Sequence, residues 1–305
     1  MVPDTPLAVC LAGPRSAAAI AASSCDALDR PLTAPAELTV AIASDEATVL
    51  GAFQRATAEG CLRRASGGPA VRVGPGTVHV TLALAAPSTL VACDERQIVN
   101  RYVRPLLRAL SRHGHLAHYF GRDWISVAHR PAGWVGFAHD AGTRRTLFEA
   151  FVAVSVPFAL EQRDGFLGKP HATLEELRRA PVDATALALA IADTYAADAA
   201  RRDLAWPAGT TDASRARPEP PWAATVEEAI GTLGAGPDAA GTFRVGGDLL
   251  VSRDALGRLE ARAAAASRDD LPRIIDETLA AGGVALDGVK SLGSVLDVVR
   301  RARAG

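Results

Sequence analysis

Lysine is nearly absent from this 305-residue chain: Lys169 and Lys290 are the only two, so almost all of its cationic charge is arginine. Chemistry that needs a mobile ammonium is confined to those two positions. Cysteine is sparse as well. Cys10, Cys25, Cys61 and Cys93 show no Cys-x-x-Cys spacing and no histidine close by in sequence, which sets zinc aside and makes a reducing compartment the expectation. Neither sign of charge is in surplus, the net value being −1, so neither nucleic acid nor a membrane surface is expected as a partner. No run approaches the ~20 apolar residues needed to span a bilayer. The first residues lack a basic leader segment, and residues 7–10 follow too short an apolar run for a lipoprotein cleavage box. A cytoplasmic location is expected.

What the chain does have is apolar mass, 49% of its residues, ample for a sizeable core in two domains or in one large domain with an appendage. It is organised around residues 63–77. Arg63 and Arg64 enter a Ser66-Gly67-Gly68 turn, Ala70-Val71-Arg72-Val73 leads to Gly74-Pro75-Gly76, and the apolar run 78–84, with His79 in it, leaves as a strand. Gly67 and Gly68 let the backbone take positive φ and approach a ligand closely. N–H groups of such a turn can form a concavity for a carboxylate or phosphate, with an arginine beside it. A plain Gly/Pro hairpin with solvated arginines would carry the same residue types.

Around this loop, periodicity predicts a small-residue helix over 15–28 and strands over 38–43 and 47–51. An amphipathic helix is expected over 97–113, interrupted or kinked near Pro105. His113, His115 and His118 read as a solvated helix end rather than a convergent metal site. Thr173 begins a short helix with Glu175 and Glu176 in its first turn. An alanine-rich helix is expected over 183–205. The expected division is a catalytic-type domain over 1–205, a Pro-rich linker over 206–224 and a small α+β unit over 225–305, with helices over 226–233, 254–266, 271–281 and 292–303.

The loop resembles the lipoate-binding loop of the lipoate–protein ligase A family, within the biotin/lipoate ligase superfamily, whose pattern is Arg-Arg-x-Ser/Thr-Gly-Gly-Gly-Ala-Val followed by a Gly-Asn turn and a strand. Arg63, Arg64, Ser66, Gly67, Gly68, Ala70, Val71 and Gly76 match; Pro69 replaces the third glycine and Thr77 the asparagine. Leu50, Gly51 and Gln54 fit the preceding family segment, while Ala52 stands where it has arginine. Asp123 fits the aspartate of a Gly-x-Asn-Asp-Ile strand, with Arg122 in place of asparagine. In the next turn the family lysine, which bridges the acyl carboxylate and the adenylate phosphate, aligns with Pro131, beside Arg130. Glu149 and Ala150 occupy the family's His-Gly. The tail, around residues 245–260, resembles the accessory domain of bacterial lipoate ligases.

The resemblance covers residues 36–177 and, loosely, the tail. It implies an α+β or α/β fold, a mixed and mainly antiparallel sheet flanked by helices as in class II biotin/lipoyl ligases, with a small α+β accessory domain. It implies a site that binds lipoate or a medium-chain acyl group, uses ATP and Mg²⁺ if active, and passes the acyl group to a lysine of a lipoyl-type carrier domain. Arg63, Arg64, Ser66, Gly67, Gly68, Ala70, Val71, Gly76, His79, Asp123 and Glu149 are the substrate-binding candidates, and Arg130 or Lys169 the candidate replacements for the lost lysine. Glu149 reads equally as a strand-edge carboxylate paired with Arg144 or Arg145, and Lys169 as a surface lysine. No residue is a metal candidate. Proline at 131 supplies neither charge nor N–H, where adenylation joins two anions. An active ligase, a non-catalytic acyl-binding or partner-docking relative, and transfer through a Cys61 thioester remain as readings. The last is disfavoured because no basic group is placed to activate the thiol.

Overall fold

The computed structural model of the chain describes residues 5–206 and 215–304. Its first element is a ten-residue strand, β1 (Pro6–Arg15), followed by α1 (Ala17–Asp26), whose N-cap Ser16 accepts the Ala19 N–H at 3.2 Å. The small side chains of α1 let it pack closely on the sheet. Next come β2 (Ala36–Ala43), β3 (Ala47–Leu50), β4 (Leu62–Arg63), β5 (Val71–Val73) and β6 (Val78–Leu84). Helix α2 (Ile98–Arg112) runs unbroken through Pro105, burying Ile98, Val99, Val103, Leu106 and Leu110. Strands β7 (Ala117–His118), β8 (Trp124–Val127), β9 (Arg130–His139) and β10 (Thr146–Val152) follow. Then come α3 (Leu174–Arg178), closed by a Thr173/Glu176 capping box, α4 (Ala184–Ala196) and β11 (Ala200–Asp203).

One mixed sheet runs in the order β11-β1-β2-β6-β10-β9-β8-β7. Only the β11–β1 and β1–β2 pairs are parallel; every later pair is antiparallel. The central strands β2, β6 and β10 are buried along their whole length, as strands covered on both faces must be. A small sheet, β4-β3-β5, carries the 63–77 loop. The sheet class and its flanking helices agree with the expectation from sequence.

Two helices expected from sequence are strands in part or whole. The helix expected over 183–205 stops at Ala196, because no apolar face continues past Tyr195; residues 200–203 instead pair with the free edge of β1. The helix expected over 226–233 is a hairpin, β12 (Ala224–Glu228) and β13 (Gly231–Pro237), joined by β14 (Phe243–Gly247). Three glycines in β13 weaken a helix, and Gly231 takes φ 138° at the turn. The tail continues with β15 (Leu250–Val251), α5 (Arg253–Ala265), α6 (Leu271–Leu279), β16 (Leu286–Asp287) and α7 (Leu292–Ala302).

A second apolar core centres on Leu233, Leu249, Leu259, Ile275 and Val298 in the tail. Part of the Pro-rich stretch, residues 207–214, lies outside the described residues. Beyond it the chain lies along the loop-bearing sheet, with the Ala216 N–H on the Cys61 carbonyl and the Glu219 N–H on that of Ala56. Arg55 clamps this crossing. Its guanidinium donates to the carbonyls of Pro220, Pro221, Gly236 and Pro237 and stacks over Trp222 at 3.7 Å.

Candidate functional site

The 63–77 loop is held from inside by its own arginines. Arg64 is buried and lies over the Trp134 ring at 3.9 Å. Its Nε donates to Ser66 Oγ, Nη1 to the Val49 carbonyl, and Nη2 to the carbonyls of Gly67 and Pro69. Burial pushes its guanidinium down to about 10, with Glu149 pulling the other way. Arg63 donates to the carbonyls of Gly51, Ala52 and Gln54 and pairs with Glu219 at 3.4 Å. Both guanidiniums therefore shape the loop from behind.

The turn itself faces protein. The Gly67 N–H donates to the Phe137 carbonyl at 3.3 Å and the Gly68 N–H to the Leu249 carbonyl of the tail at 3.0 Å. Gly68 takes φ 86°, and a Cβ on Gly67 would lie 2.3 Å from the Leu249 oxygen. The glycines thus permit close backbone approach, and the backbone that approaches is the chain's own.

Beneath the turn lies a buried polar centre. Glu149, on the middle strand β10, accepts from Ser66 Oγ on one oxygen and meets His79 Nε2 at 2.7 Å with the other. Burial alone would raise this carboxyl, but His79, Arg64 and Ser66 outweigh it and hold it below the ordinary carboxylate value. Arg144 and Arg145, offered from sequence as partners of Glu149, form no ion pair with it. His79 packs on Phe151 with ring centres 4.6 Å apart, and its Nδ1 has no partner; neither does Nε1 of buried Trp134.

The other candidates lie elsewhere. Asp123 is buried and pairs with Arg163 at 2.9 Å, and Arg163 also donates to the Ile230 carbonyl of the tail. Arg130 ties down the 170–171 backbone through the Pro170 and His171 carbonyls, and Pro131 accepts the Ala172 N–H. Lys169 Nζ sits 5.9 Å from the Phe120 ring centre. Ala70 is half-buried, Val71 is buried in β5, and Gly76 takes φ 86° and donates to the Ala43 carbonyl. So Arg64, Ser66, Gly67, Gly68, His79 and Glu149 come together, whereas Arg130 and Lys169 meet at the 169–171 loop. Cys61 is half-buried beside the loop. His115 is buried with Nε2 unpartnered, unlike the solvated histidine expected. Among the described residues no group of three His, Cys, Asp or Glu is placed to hold a metal.

A cavity of about 110 Å³ adjoins the loop. Pro69, Ala70, Val71, Trp134 and Phe158 are among its apolar lining; Gln54, Glu161, Arg163 and Asp248 are its polar lining. Asp248 accepts from Gln54 Nε2 at 2.5 Å and from the Thr232 N–H at 2.7 Å, and burial pushes its carboxyl up to about 6. Trp134, Arg163 and Asp248 were not singled out from sequence as site residues. For Trp134 the signal was a glycine two residues on, where a Cβ on Gly136 would lie 2.3 Å from the indole; Asp248 lies in the tail stretch that carries the accessory-domain resemblance.

No protein-family model matches the sequence, and no curated protein does. Solved structures do match. LipL1 of P. falciparum in complex with lipoate superposes with a TM-score of 0.64 at 12% identity, over 97% of this chain and 99% of that one. Ta0514 of T. acidophilum with bound lipoic acid gives 0.51 at 15% over 65% and 88%. The T. acidophilum bi-partite lipoate protein ligase, studied with its E2 lipoyl domain, gives 0.51 at 13% over 67% and 88%. The chain therefore has the lipoate–protein ligase fold, including the tail in the full-length superposition.

Proposed function

We propose that this chain is a lipoate–protein-ligase-like protein that binds a lipoyl- or octanoyl-type acid, or its adenylate, in the cleft beside the 63–77 loop. The observation that carries the reading is the cavity whose apolar lining meets the Arg163 guanidinium and Gln54, with Asp248 and Glu161 also in its lining, set against the buried Arg64–Ser66–Glu149–His79 centre. A carboxylate there meets a guanidinium already oriented by Asp123, and an acyl chain lies along Pro69, Ala70, Val71 and Phe158. At 110 Å³ the space is well below the ~300 Å³ of common ligand pockets. Entry of the acid thus displaces the 248–249 turn, whose Leu249 carbonyl now caps Gly68.

In its fuller form the function includes transfer of the acyl group to a lysine of a lipoyl-type carrier domain. ATP with Mg²⁺ would supply activation of the carboxyl group in that case. The residues at the loop centre do not fit a triphosphate: each nitrogen of Arg64 already donates to an internal acceptor, and Glu149 adds a buried negative charge. Pro131 stands where the family lysine is expected, and Lys169 and Arg130 serve the 169–171 loop. These observations favour a second reading, a non-catalytic relative that binds the acyl group or adenylate, or docks a partner.

Incubation with ATP, Mg²⁺, lipoate or octanoate and an unmodified carrier domain, followed by mass spectrometry, separates the two. A mass gain on the carrier establishes transfer. Saturable acid binding without adenylate or carrier modification establishes the non-catalytic reading, and no binding of acid, adenylate or carrier refutes both.

A further inference from the structure

The large sheet ends in an open edge. Strand β7 pairs only with β8, and three large apolar side chains stand in solvent around it: Leu116 is 67% exposed, Phe120 57% and Leu167 61%. Leu116, His118 and Phe120 are exposed while Ala117 is buried, the alternation of an extended segment, giving a one-faced row of about 13 Å. His118 stacks on Phe120, and Lys169 approaches the same ring, so the loop carrying Leu167 adjoins the row. Ser111 Oγ accepts the Ala117 N–H, which brings the end of α2 and its Arg112 to this place.

The rim is positive. Arg112, Arg122 and Lys169 make no ion pair among the described residues; of the nearby carboxylates Asp123 and Glu176 are matched to Arg163 and Arg130, Asp287 lies in the field of Arg122, and Asp164 flanks the Leu167 turn, which leaves three cations against two free carboxylates. In a chain of net charge −1 this is a local surplus around an apolar row. Two copies of the edge would repel one another, which disfavours self-association; a partner with carboxylates around an apolar centre is attracted and oriented.

We propose that this edge docks the lipoyl-type carrier domain, through carboxylates that flank an apolar patch on the carrier. The inference rests on the function proposed above and adds to it the place where the carrier binds.

The test is equilibrium binding of the full chain to an unmodified carrier domain at low and moderate salt, with thermal melts to verify folding. Leu116→Asp and Phe120→Asp each weaken binding about tenfold or more, as central apolar contacts do. The double change Arg112→Glu, Arg122→Glu weakens it comparably and flattens its salt dependence. Leu189→Asp, at an exposed leucine of α4, leaves it unchanged. Undiminished binding by the edge variants overturns the docking face while the proposed function stands. No carrier binding by the wild type overturns docking, and lipoate binding measured separately then decides whether the acyl-binding reading survives. A concentration-dependent dimer abolished by Phe120→Asp would assign the edge to a second copy instead.

Discussion

Asp248 joins the tail to the loop, and its titration can be isolated by Asp248→Asn. Burial raises its carboxyl from 3.8 to about 6, against opposing hydrogen bonds from the Thr232 N–H and Gln54. As pH rises from 4, the unfolded chain loses this proton while the folded chain keeps it. The contribution to stability is therefore complete below the unfolded value and is lost as pH climbs through about 6. A shift of roughly two units corresponds to a ceiling of about 3 kcal/mol, reduced by the partial exposure of the side chain. Asparagine retains a carbonyl acceptor but no titration. Urea unfolding from pH 4 to 7.5 should show the wild type losing ~1–2 kcal/mol relative to the variant between pH 4 and 6.5. Parallel curves would refute the argument, because every other ionisable group is common to both proteins.

Glu149→Gln leaves Arg64 buried without its counter-charge and should lower unfolding stability by ~3–5 kcal/mol at neutral pH. The difference should shrink as pH falls through the depressed pKa of Glu149, and a variant as stable as wild type would remove the centre's claimed importance. Gly67→Ala places a methyl 2.3 Å from the Leu249 oxygen, so the 248–249 turn must move, at about 1–3 kcal/mol. Hydrogen exchange should then rise at the Gly68 amide, and unchanged protection there would contradict the packing. Arg55→Ala strips four carbonyls of their donor and Trp222 of its cation, for about 3 kcal/mol or more. Denaturant unfolding followed by tryptophan fluorescence checks it, and a loss under ~1 kcal/mol would show that the clamp is dispensable.

Elements with a clear pattern were legible from sequence: β2 and β6 as apolar strands, α2 as an amphipathic helix, and α5, α6 and α7 as helices, whereas the position of β10 came only through the family resemblance. Strand β11 was hidden because its four residues are all exposed and its only reason to be extended is the edge of β1. The β12–β13 hairpin was mistaken for a helix because a short run of small and acidic residues carries little periodic signal, although the glycines of β13 argued against it. The loop's residue types were legible too, but not what they face. Whether an N–H of a Gly-Gly turn meets a ligand or the carbonyl of Leu249, some 180 positions away, depends on how the tail packs. Nor could composition reveal that Arg64 serves its own loop's carbonyls, since a buried guanidinium and a ligand-facing one have the same sequence.

The most direct measurement is a crystal structure of the protein saturated with lipoate. The account predicts the ligand against Pro69, Ala70, Val71 and Phe158, its carboxylate on Arg163 and Gln54, and the Leu249 carbonyl withdrawn from Gly68. Lipoate bound elsewhere, or absent at saturation with the 110 Å³ cavity unchanged, would contradict it.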